Sequence, residues 1–160
     1  QLENFSRDPK EALRLLKASG AAPNFPDEQW KDLLEGLPLD FDALDKGLFD
    51  GKGITTEADW NRVWRKVEDA MGFAFSQRRS ELAVYGTYIL DFFQQFRPEL
   101  HVNVINFDRA VRKFIASSKD VLFSDTNRFV HLEKSYLTPG GKHYSELAPP
   151  CGPKRQSCGY

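Results

Sequence analysis

Cysteine is scarce. The chain has two in 160 residues, at Cys151 and Cys158, which excludes a disulfide-stapled scaffold of the small secreted kind and points to an intracellular protein. Histidine is nearly as rare. His101, His131 and His143 lie far apart, and none pairs with a cysteine or acid at ligand spacing, so no metal site is expected and each reads as a surface or capping residue. No apolar run approaches the roughly 20 residues of a membrane span, so a soluble chain with no membrane contact is expected. Gln1 opens the sequence without a charged-then-apolar leader, hence no targeting signal. The chain has no G-x-G-x-x-G and no P-loop, and Gly51-Lys52-Gly53 lacks the Walker spacing and reads as a turn. No Ser, Cys or Lys stands in a nucleophile motif. These absences argue against an enzyme and against a bound cofactor.

Aromatic residues are plentiful: thirteen Phe, five Tyr and three Trp, which supply much apolar area from few positions. At this length a single domain can bury about two-thirds of its unfolded surface. Apolar residues recur at helical spacing, and no segment alternates long enough to claim a strand. Asp8-Pro9 caps and opens a short helix that Gly20 ends. Pro26-Asp27-Glu28 starts a second, carrying Trp30, Leu33 and Leu34 and stopped by Gly36. A third runs from Asp40 to Leu48, with Phe41, Leu44 and Leu48 on one side. Gly47, Gly51 and Gly53 read as a flexible joint and an internal boundary.

Beyond the joint, Thr55 is placed to cap a helix whose face is Trp60, Val63, Trp64, Val67, Met71 and Ala74. Ser76 restarts a helix with Leu82, Tyr85, Ile89, Phe92, Phe93 and Phe96, and Pro98 ends it. Val104, Phe107, Val111, Phe114 and Ile115 make the next face, with the β-branched Val102–Ile105 stretch read as helix. Ser124 or Asp125 caps a last helix bearing Phe129, Leu132 and Tyr136, closed by Pro139-Gly140-Gly141.

Charge is unevenly spread although the net charge is −1. Eight acids (Asp27, Glu28, Asp32, Glu35, Asp40, Asp42, Asp45, Asp50) face Lys31 and Lys46 in the front part. Residues 51–138 are slightly basic, and the tail sets Lys142, Lys154 and Arg155 against Glu146. Asp108 and Arg112 stand at i,i+4, the spacing of a helix-surface salt bridge. Cys151 and Cys158 are separated by six residues, wider than most zinc knuckles. A disulfide, two unpaired thiols, or Cys158 as first ligand of a truncated zinc finger all fit that pair.

The order of the short motifs is distinctive. Trp60-x3-Trp64 precedes Phe73-Ala74-Phe75-Ser76-x-Arg78; Glu81-Leu82-x2-Tyr85-Gly86-x-Tyr88-Ile89 precedes Val104-Ile105-x-Phe107-Asp108-x-Ala110-Val111-Arg112. Phe25-Pro26-x3-Trp30 and Leu39-Asp40-Phe41-Asp42 lie upstream, and Phe123-Ser124-Asp125 with Phe129 downstream. This order resembles the Gag-like region of fungal tyrosine-recombinase retrotransposon polyproteins of the DIRS/Ngaro type, over roughly residues 25–141. Ser76-Gln77 departs from the family's Pro-His, and Phe107 replaces its commoner Tyr. The resemblance implies a region that precedes the reverse transcriptase, carries no catalytic residues and leads into a zinc-finger cluster.

The expected architecture is an all-α bundle of six to seven helices: an acidic helical lead-in (1–53), a core domain (54–138) and a basic Pro/Gly/Cys tail (139–160). Its core is expected to hold Trp60, Trp64, Val67, Leu82, Tyr85, Ile89, Phe92, Phe93, Phe107, Val111 and Phe114, with Phe92 the most costly to truncate. The leading function is a non-enzymatic module for self-assembly into homo-oligomers and for nucleic-acid packaging. An exposed face of Arg109, Arg112 and Lys113, with Lys154 and Arg155 in the tail, would contact RNA or DNA. The alternatives are a helical DNA-binding domain like the core-binding region of a tyrosine recombinase, gripping phosphates through Arg62, Arg65, Lys66, Arg109, Arg112 and Lys113, or a protein-interaction domain without retained activity.

Overall fold

Local signals in the front of the chain act as their residue types dictate. The computed structural model describes residues 9–146, so the Asp8 cap and the tail residues Cys151, Lys154, Arg155 and Cys158 lie outside the described residues. Helix α1 (Pro9–Ala18) is followed by Gly20 at φ 75°. Helix α2 (Asp27–Glu35) stops where Gly36 turns left-handed at φ 77° and its N–H reaches back to the Leu33 carbonyl, as a helix needs to satisfy its last acceptors. Helix α3 (Phe41–Phe49) starts on Asp40, whose carboxylate accepts from the Ala43 N–H at 3.1 Å.

Helix α4 (Glu57–Ala74) begins one residue later than the sequence suggests. Thr56, not Thr55, is its cap, and Thr56 and Asp59 bond reciprocally in a capping box. Burial pushes the Asp59 carboxyl up, but the bonds from Thr55 and Thr56 together outweigh it and hold the pKa below the ordinary value. A single 3-10 turn at Ser76–Arg78 separates α4 from α5 (Arg79–Gln95). Another at Pro98–Leu100 leads into α6 (His101–Ser117), so Val102–Ile105 is helical. A third at Thr126–Phe129 precedes α7 (Val130–Tyr136). Asp125 therefore caps no α-helix; it accepts the Leu122 N–H within the preceding loop. The described residues thus make an all-α bundle of seven helices with no strand.

One apolar core runs through all of it. Trp30, Leu34, Phe41 and Leu44 from α2 and α3 are buried in the same cluster as Trp60, Trp64, Leu82, Tyr85, Phe93, Phe107 and Phe129. Phe41 lies 6.4 Å from Trp60 and 6.3 Å from Trp64 between ring centroids, and the two indoles stack at 5.4 Å. The described part of the acidic lead-in therefore contributes to the core. The glycine joint is hydrogen-bonded to α3: the Gly51 N–H bonds the Asp45 carbonyl, Gly53 N–H the Asp45 carboxylate and Ile54 N–H the Asp42 carboxylate. At the other end the Gly141 and His143 N–H groups bond the Thr138 and Ser135 carbonyls, and the buried Asn103 amide grips both polar groups of the Ser145 backbone. Residues 139–146 are thus fastened to the bundle. Two core expectations shift: Phe92 and Phe114 are only partly buried, whereas Phe93 is 1% exposed. Among the described residues no helix is long and apolar enough to cross a membrane.

Candidate functional site

The site is built around a buried carboxylate. Asp108 lies on the apolar row Val104–Asp108–Val111–Ile115 of α6, and that row turns it inward to 0% exposure. A buried carboxylate is tolerable only when paired and hydrogen-bonded. Tyr85 of α5 donates its hydroxyl to Oδ1 at 2.6 Å; on Oδ2 the Trp60 indole N–H of α4 donates at 2.9 Å and the Arg112 Nε at 2.9 Å. Burial first, then Asp108, pushes the Tyr85 phenol pKa well above its ordinary value, so the hydroxyl stays a donor. Three helices are thereby pinned to one acid. The Asp108–Arg112 pair is not the surface salt bridge that its spacing suggests.

Arg112 is itself enclosed, at 8% exposure. Its Nη1 donates to the Leu39 carbonyl just before α3, and its guanidinium carbon sits 3.6 Å above the Phe41 ring centroid, a geometry in which a desolvated cation gains about 2 kcal/mol. Arg112 therefore does not belong to an exposed basic face. Neighbouring cations are drawn the same way by the acids of α3. Arg109 donates to Asp42 at 2.9 Å and to Asn106, and remains about 40% exposed. Arg62 donates twice to the fully buried Asp45, approaches Asp59, and lies over Phe49. Of the six cations that the DNA-binding reading needs, Arg62, Arg109 and Arg112 are paired within the protein, Arg62 and Arg109 while still about 40% exposed. Arg65 and Lys113 are exposed, Lys66 is half-buried, and none of the three forms a salt bridge among the described residues.

Other polar groups are spent on the fold too. Glu81, 9% exposed, takes a two-pronged bond from Arg78 and the N–H of Phe123. Tyr88 donates to Glu133 of α7 at 2.6 Å; burial and then this bond push its phenol pKa far up. His101 is buried, contrary to a surface role, and acts as a cap. Its Nε2 lies 2.8 Å from the Phe93 carbonyl and 2.9 Å from the Phe96 carbonyl, so it carries the proton and donates to the end of α5. His131 stands edge-on to Phe114, and His143 stacks on Tyr136 at 4.8 Å. Among the described residues no cluster of three His, Cys, Asp or Glu side chains is arranged to hold a metal ion.

One concavity adjoins this network. A cleft of about 250 Å³ opens between the start of α3 and the outer side of α6, lined by Pro38, Leu39, Asp40, Phe41, Arg109, Arg112 and Lys113. Sequence reasoning named the three basic residues but missed their neighbours from 38–41 and the roles of Trp60, Tyr85 and Asp108. The available signal was Asp108 itself, an acid inside an otherwise apolar helical stripe. In comparisons with known proteins the chain matches no family model, no curated protein sequence and no solved structure.

Proposed function

We propose that this chain is a non-enzymatic, Gag-like helical module that self-associates and packages nucleic acid in the cytoplasm or nucleus. The observation that carries the reading is where the motif residues go. Three short motifs of the retrotransposon-like order supply buried contacts: Trp60 bonds Asp108 and Trp64 packs on Gly86, Glu81 takes Arg78 and the Phe123 N–H while Tyr85 bonds Asp108, and Asp108 pairs with Arg112. Those residue types in that order specify how helices lock together, and their acids and bases are occupied by one another. A scaffold needs such fixed internal pairing; a reaction centre needs groups free to exchange protons or attack. The exposed Leu15, Leu37, Val84, Val102, Leu122 and Val130 are the apolar side chains available for contacts between copies, and the basic tail with Lys154 and Arg155 is the leading RNA contact.

Two measurements test this. Light scattering coupled to size exclusion, run over a wide concentration range, should show mass rising with concentration; a strict monomer throughout removes the assembly part. RNA affinity at low salt should fall when the chain is cut after Glu146, and should weaken with added salt as phosphate contacts release counterions. Unchanged affinity after that cut removes the tail's role. The cut is placed after residue 146 because Asn103 holds Ser145 in the folded body. The recombinase-like DNA-binding alternative is weaker, since Arg62 and Arg109 bond acids of α3 and Arg112 is 8% exposed, which leaves these three only their spare N–H groups for phosphates.

A further inference from the structure

We infer that the cleft between α3 and α6 binds a single phosphate group of a single-stranded nucleic acid chain. The inference rests on the reading that the protein contacts nucleic acid, and it assigns part of that contact to the folded body rather than the tail. Its volume of about 250 Å³ lies below the roughly 300–1,000 Å³ of ordinary small-molecule pockets, which suits one phosphate rather than a whole nucleotide.

Donor supply is the main argument. Arg112 has five N–H groups and commits one to the Leu39 carbonyl and two to Asp108, leaving two without an acceptor among the described residues. Arg109 commits two, to Asp42 and Asn106, and keeps three. Lys113, exposed on the next turn, makes no ion pair among the described residues. Arg112 is already immobilised by Asp108, Leu39 and Phe41, so an anion there orders little side chain on binding.

Acids oppose the anion, but unequally. Asp42 and Asp108 temper their arginines from the protein side. Among the described residues Asp40 is the only carboxylate that lines the cleft, and one of its oxygens is turned to the Ala43 N–H. The apolar rim is Pro38, next to Leu37 at 49% exposure. The unpaired base or sugar of a single strand would pack on this apolar rim beside its phosphate, whereas a duplex keeps its bases stacked inside.

The test uses the full chain, a ten-nucleotide oligouridine RNA and, separately, inorganic phosphate. At low salt Lys113→Glu should weaken oligouridine binding about fivefold, the effect of one exposed charge contact, and lower the salt slope by about one. Lys113→Arg should restore it. Asp40→Asn should strengthen binding about two- to threefold while Asn keeps the helix cap. Inorganic phosphate should shift the amide resonances of residues 39–41 and 109–113, whereas chloride at equal ionic strength should not. If Lys113→Glu and Asp40→Asn both bind oligouridine like the parent, the cleft is not the site, although nucleic-acid contact through the tail stands. If phosphate shifts the cleft but the parent binds no RNA, the nucleic-acid assignment fails. Silence in both arms overturns the inference outright.

Discussion

Replacing Asp108 by alanine should be the most damaging single change in the network. It removes one acceptor from the Trp60 indole, the Tyr85 hydroxyl and the Arg112 guanidinium together. Breaking a buried ion pair by deleting one partner costs about 3–5 kcal/mol, since the remaining charge is left uncompensated. Each stranded neutral donor adds about 1–3 kcal/mol. These terms share atoms and overlap, so they do not sum; about 4 kcal/mol is a reasonable floor. Against a typical total stability of about 5–15 kcal/mol, that floor is a large fraction of the whole. Asp108→Asn separates acceptor geometry from charge. It keeps an oxygen where Oδ2 receives Trp60 and Arg112 but removes the counter-charge of the buried Arg112, so the ion-pair loss of about 3–5 kcal/mol remains and only the stranded-donor losses of about 1–3 kcal/mol are spared. Urea unfolding followed by tryptophan fluorescence suits the measurement, because Trp30, Trp60 and Trp64 are all buried. With a slope near 2 kcal/mol per molar, the alanine variant's midpoint should drop by about 2 M. A loss below about 2 kcal/mol, or equal losses for Ala and Asn, would refute the reasoning.

Three further outcomes follow from other parts of the fold. Gly86 faces Trp64, and a Cβ there would lie 2.6 Å from the indole nitrogen; Gly86→Ala should cost about 1–3 kcal/mol in the same urea assay although alanine favours helix, and a stabilised variant would contradict the packing. Phe93→Ala should cost about 3–5 kcal/mol and Phe92→Ala clearly less, because only Phe93 is fully enclosed; the reverse order would show the burial to be misassigned. Burial, then Glu35, Glu28 and Asp40, raise the Asp32 carboxyl pKa. A folded-state pKa above the unfolded one makes the ionised form a penalty, fully present above the folded value and gone below the unfolded one. Asp32→Asn should therefore raise the melting temperature at pH 7, with the gain vanishing by about pH 3; a gain that persists in acid would rule out the charge as its cause.

Helix boundaries and their caps were legible because they are local. Gly36 ends α2 and Asp40 opens α3 through bonds to residues one turn away, and a sequence window contains both partners. The cap of α4 shifted by one residue, since Thr55 and Thr56 both offer a hydroxyl and only geometry selects Thr56. Phe92 and Phe93 are adjacent in sequence, and apolar periodicity ranks them alike; the helices packed around α5 decide which is enclosed. Arg112 lies inside rather than on an exposed basic face for a related reason. Arg109 and Arg112 lie on α6 at positions that a helical wheel places near the surface, and their partners, Asp42, Leu39 and Phe41, are about seventy residues earlier.

The sequence by itself determined the all-α class, most helix limits and the apolar faces, because hydrophobic periodicity and capping act within one or two turns. It also carried the motif order, which holds the residues of the buried network without showing that they meet. Only the tertiary structure decided that Trp60 and Tyr85 join Arg112 on Asp108, and that Asp42 of the acidic lead-in pairs with Arg109 of α6. Those pairings span 48, 23 and 67 residues. A charge in sequence shows only its sign; burial and the partner across the fold set whether it binds a ligand or holds the protein together.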